Sequence, residues 1–180
     1  MNDTAVAKRL GHVFRKKGGE GKYLMLYENL DSSIKDILKN AYQLEPKELP
    51  IIGMVRNSIV MLVTTRNVFY KDSAKTCCLP LRLIDSIAMD LGVYERTLQH
   101  GNKMQMDELL IELTDGQLHK ITFEAGRPLF GVWNALRVAA FQLKKAGILT
   151  RPLNVVTLAV TLLCLSHAKE RCSKPITFPA

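Results

Sequence analysis

Cysteine and tryptophan are scarce in this chain. Four cysteines and one tryptophan stand among 180 residues. Cys77, Cys78, Cys164 and Cys172 form no Cys-x-x-Cys pair, and no two of them are spaced like a zinc hook with nearby histidines, so no metal site is expected. No apolar leader is visible either, because Lys8, Arg9 and His12 interrupt the first seventeen residues. A reducing cytoplasm with free thiols is therefore the expected setting, either in solution or against the inner face of the membrane. Gly18, Gly19 and Gly21 lack a preceding strand and a following Lys-Ser/Thr, which excludes a phosphate-cradling loop. The longest apolar run, residues 153–165, is broken by Asn154, Thr157 and Thr161. Even extended to residue 168 it spans only about 24 Å as a helix, short of a ~30 Å hydrocarbon core.

What is present is an ordinary globular balance of 47% apolar and 23% charged residues. The net charge of +8 divides unevenly along the chain. Residues 1–30 carry six basic and three acidic side chains, residues 31–147 fifteen and thirteen, and residues 148–180 four and one. The body is thus nearly neutral between two basic ends, which would attract any polyanion. Three segments follow from this: a basic flexible segment at 1–30, a folded domain at 31–147, and an apolar-then-basic tail at 148–180.

Periodicity gives the elements. Ala5, Val6, Leu10, Val13 and Phe14 would share one side of a short basic helix, read as a frayed, solvated terminus rather than a membrane-surface helix. Asp31 is a good N-cap for a helix carrying Ile34, Ile37, Leu38, Ala41 and Tyr42, closed by Pro46. Residues 23–27 suit an edge strand or a lead-in to that helix. β-Branched runs at 51–56 and 59–64 flank an Asn57-Ser58 turn, and further short strands follow at 67–71, 75–79 and 83–91. Residues 99–107 read as a loop or hairpin tip. Strands at 109–113 and 118–123 flank Asp115-Gly116, with Glu112, Lys120 and Glu124 expected to face water. Pro128 opens a helix whose stripe is Leu129, Val132, Trp133, Leu136, Ala140 and Leu143, ended by Lys144, Lys145 and Gly147. Adjacent Cys77 and Cys78 would point to opposite faces of one strand, one to the core and one to solvent.

Residues 60–90, VMLVTTRNVFYKDSAKTCCLPLRLIDSIAMD, resemble the segment shared by bacterial PH-like and GRAM domains. Thr64, Thr65 and Arg66 stand for the Thr-x-Arg corner, Phe69 and Tyr70 for the aromatic strand, and Leu79, Pro80, Leu81 and Ile84 for the Pro-Leu-x-x-Ile step. The likeness covers about residues 44–147. It implies an α+β fold: a strongly bent antiparallel sheet of six to seven strands, plugged by the C-terminal amphipathic helix through Trp133. An N-terminal helix and a separate apolar tail flank that domain.

The same resemblance implies noncatalytic binding, as a protein-interaction or self-assembling scaffold. The alternative is a peripheral membrane adaptor that meets anionic lipid through basic ends and tail. Arg56, Arg66 and Lys71 are the candidate contacts for an anionic ligand or lipid, although they depart from the Lys-x-Lys/Arg-x-Arg cluster of phosphoinositide binders. Arg66 is expected to serve the corner's geometry. No catalytic residue, cofactor or metal ligand is expected. A Cys77 or Cys78 nucleophile with His119 and Asp115 has no local signature behind it. Nucleic acid is disfavoured, since basic residues and aromatics do not interleave in the body.

Overall fold

The computed structural model describes residues 2–89 and 105–145. The tail beyond residue 147, Gly147 itself and most of the 99–107 loop lie outside the described residues. Among the described residues, eight strands form two antiparallel meanders. The five-stranded sheet holds β1 (Leu24–Leu26), β2 (Pro50–Arg56), β3 (Ile59–Thr64), β4 (Asn67–Lys71) and β5 (Thr76–Pro80) in sequence order. The three-stranded sheet holds β6 (Ile84–Met89), β7 (Glu108–Leu113) and β8 (Leu118–Thr122). Helices α1 (Asp3–Lys17), α2 (Ser32–Ala41) and α3 (Arg127–Lys145) complete an α+β architecture. The expected single sheet of six to seven strands is therefore two sheets, divided where Pro80 leads into the 3-10 turn Leu81–Leu83.

Alternation along the strands explains why both faces of the first sheet are apolar. Ile52, Met54, Met61, Val63, Val68 and Tyr70 point into a main core shared with Leu109, Ile111 and Ile121 of the second sheet and with α1 and α3. Val60, Leu62 and Phe69 point the other way, into a smaller core beneath Leu30, Leu38, Ala41 and Tyr42. Helix α2 thus covers the back of the sheet. Central strands buried on both faces read as nearly continuous apolar runs. Gly53 makes room for α2: a Cβ there would lie 2.7 Å from the Leu30 and Leu38 methyls. Helix α2 ends at Ala41, before Pro46, because Tyr42 turns extended (φ −135°). There its ring stacks on Phe69 at 5.0 Å and its hydroxyl donates to Val60 O at 2.7 Å. The Asp31 side chain makes no capping bond, contrary to its N-cap signature.

The N-terminal segment is not a solvated terminus. Val6, Leu10 and Phe14 of α1 are buried in the main core. Phe14 lies against Gly131 of α3, where a Cβ would meet the Phe14 ring at 2.8 Å. The glycine joint is also tied down. The Glu124 carboxylate accepts from the backbone N–H groups of Lys22, Tyr23 and Leu24, each at 2.7 Å. Glu124 thus binds backbone rather than facing water, and β1 joins the sheet as its edge strand.

Candidate functional site

The Thr-x-Arg corner is built from hydrogen bonds. The buried Glu48 carboxylate accepts from the Thr64 hydroxyl, from Asn67 Nδ2 at 2.8 Å and from the Glu45 N–H at 2.9 Å. Thr65 Oγ1 accepts from Leu49 N–H at 3.1 Å. Arg66 bridges two acids, Asp3 Oδ2 at 2.8 Å and Glu45 Oε2 at 3.0 Å. The Arg66 hydrogen bond holds the Asp3 carboxyl below its ordinary range. Arg66 therefore joins α1 to the β3–β4 corner and the α2–β2 connection.

The three candidate anion contacts do not converge. Arg56 pairs with Ile59, and Lys71 with Val60, so both stand at one end of the first sheet. Arg66 lies beyond the other end of β3, on the order of 20 Å away at ~3.3 Å per residue. The Arg56 guanidinium sits over the Tyr23 ring, 5.6 Å from its centroid, with Lys22 Nζ also near that ring at 5.1 Å. Acids share this end. Burial, then the charge of Glu108, pushes the Asp107 carboxyl up, while Arg56 and Lys120 pull it down. Asp72 accepts from the Tyr70 hydroxyl at 2.9 Å and from the Ala74 and Lys75 N–H groups at 2.8 Å. Burial followed by the Asp72 contact pushes the Tyr70 phenol up to about 12.

The cysteine, histidine and acid considered for catalysis are also divided. Cys77 packs against the main core and Cys78 against the α2 core, both half-buried, so neither is the fully exposed partner expected. His119 pairs with Ile111 and so shares the inner face with Ile121. Its Nε2 is buried without a hydrogen-bond partner among the described residues. Burial, then Lys75, lowers the His119 pKa against the pull of Asp115. Asp115 caps its own turn, accepting from Gln117 N–H at 3.0 Å. Trp133 is half-buried against the main core, and its Nε1–H donates to Ile87 O of β6 at 3.1 Å. The Arg137 guanidinium lies over its ring at 5.2 Å. No group of three or more His, Cys, Asp and Glu suited to a metal occurs among the described residues, and no helix there is long and apolar enough to cross a membrane.

A concavity that the sequence reading missed lies on the other side of the molecule. It encloses about 290 Å³ between the end of α2 and the first sheet, lined by Tyr27, Leu38, Lys39, Tyr42, Gln43, Leu44, Pro50 and Leu62. That volume is at the lower limit of ligand pockets and suits one or two apolar side chains. Its one sequence signal is Leu44, an apolar residue just past the helix, in a stretch where Pro46 forbids further helix. In comparison with known proteins, no family model, no curated protein and no solved structure matches this chain.

Proposed function

We propose that this protein is a noncatalytic binding module of the PH-like kind, a scaffold that assembles through protein–protein contacts. The groove beside α2 carries this reading, because it is apolar, open and not filled by the chain's own described side chains. Two meandering sheets around a helix that hydrogen-bonds to β6 through its tryptophan support the PH-like part. A knob for the groove is present in the same chain. Leu118, just after the Asp-Gly turn, is 67% exposed on the outer face of the second sheet. Knob and groove are different surfaces, so their pairing between copies is heterologous and builds chains or rings.

Burying one leucine contributes about 1.5–3 kcal/mol, so the contact is weak without flanking interactions. Assembly at about 100 µM needs about 5.5 kcal/mol, so the surfaces flanking Leu118 and the groove rim must supply the remainder. Sedimentation velocity over a concentration series tests the proposal. Wild type should form larger species, and Leu44→Glu, which puts a charge at the groove, should stay monomeric. A Leu44→Glu protein that sediments like wild type at every concentration refutes the groove contact.

A further inference from the structure

Helices α1 and α3 lie antiparallel: Gly18 meets the start of α3 at Arg127 and Gly131, and Arg9 faces the Gln142 amide near its end. Together they carry nine Lys/Arg residues and one acid, Asp3, which Arg66 occupies. Their net charge is thus +8, equal to that of the entire chain, and the other residues hold sixteen of each sign. Division along the sequence hides this concentration, because 109 residues separate Lys17 from Arg127.

The outward side of the pair is both basic and aromatic. Lys8, His12 and Lys16 follow at helical spacing on the exposed side of α1. On α3, Arg137 and Phe141 are exposed, Phe141 to 67%. Phe130 is half-exposed on the same side and lies 6.4 Å from the Trp133 ring.

We propose that the exposed α1–α3 face docks on an anionic lipid surface. Cations around an exposed aromatic ring suit the interface of a charged bilayer, where the ring enters the acyl boundary and the cations meet headgroups. A polynucleotide would use the charge but leave Phe141 in water. Helices of fifteen and nineteen residues give a face roughly 22–28 Å long, enough to lie along a membrane.

The test is co-sedimentation of the full chain with phosphatidylcholine vesicles containing about 30% phosphatidylserine, against pure phosphatidylcholine, at low and high salt. Binding should require the anionic lipid and weaken with salt. Lys8→Glu with Lys16→Glu, and separately Phe141→Ser, should each lower the partition coefficient at least tenfold, while Lys47→Glu in the α2–β2 connection should not. All four residues are exposed, and unchanged melting curves would show an intact fold. Binding equal to wild type in both the double variant and Phe141→Ser would place the contact elsewhere and overturn the proposal. So would absence of binding to anionic vesicles, including the case in which the protein retains only a DNA duplex.

Discussion

Replacing Glu124 removes the acceptor for three backbone donors about one hundred residues away. Its Oε1 serves Lys22 N–H, and its Oε2 serves Tyr23 and Leu24 N–H, all at 2.7 Å. The Lys22 bond is exposed, so water replaces it in a variant; the other two are partly buried and left wanting. Each orphaned donor costs about 1–3 kcal/mol, so Glu124→Ala should lose about 2–6 kcal/mol. That is a large share of the ~5–15 kcal/mol that holds a typical domain together. Glu124→Gln can restore one oxygen but turns an NH2 toward the remaining donor, and should lose about 1–2 kcal/mol. Urea unfolding gives the order and the size, and hydrogen exchange should show the amides of residues 22–24 losing protection first. A Glu124→Ala protein within about 0.5 kcal/mol of wild type would refute the claim that this carboxylate fastens the glycine joint and β1 to the fold.

Trp133→Ala should cost about 2–3 kcal/mol, less than for a fully buried tryptophan because the ring is only half-buried, and thermal melts will read it. Tyr70 is held protonated, with its phenol at about 12, so its contribution is complete below pH 10 and is lost as pH rises through about 12. Ultraviolet titration should therefore show a late tyrosine component that is smaller by one residue in Tyr70→Phe. Asp3 is held below its ordinary range, so the stability it adds is present above that range and falls away as pH drops through its folded value. Asp3→Asn should flatten the acid limb of the stability curve. Gly53→Val should destabilise by about 1–3 kcal/mol by forcing α2 off the sheet, which denaturant midpoints will show.

Much of the scaffold was legible because its signals are local. The Asp115-Gly116 hairpin, the Asn57-Ser58 turn and the helix bearing Trp133 all depend on neighbours within a few residues. The docking of α1 was not legible, since Val6, Leu10 and Phe14 would make the same stripe on a surface helix as on a buried one. Glu124 looked solvated because its partners are at positions 22–24. The second core was hidden for another reason: alternating patterns mark one buried face, whereas β3 is buried on two. Of the candidate anion contacts, strand register separates Arg66 from Arg56 and Lys71, and only pairing partners reveal that. The groove could not be read because its lining comes from the 3-10 turn at Tyr27–Asn29, α2, β2 and β3 together with Leu44.

The most direct measurement is sedimentation of two assembly variants, alone and mixed. Leu118→Ser lacks the knob and keeps the groove; Leu44→Glu keeps the knob and spoils the groove. If copies join knob to groove, each variant alone is monomeric and their mixture forms a dimer that grows no further. Wild type that stays monomeric well above ~100 µM, or a mixture that behaves as the sum of its parts, would contradict assembly through this contact.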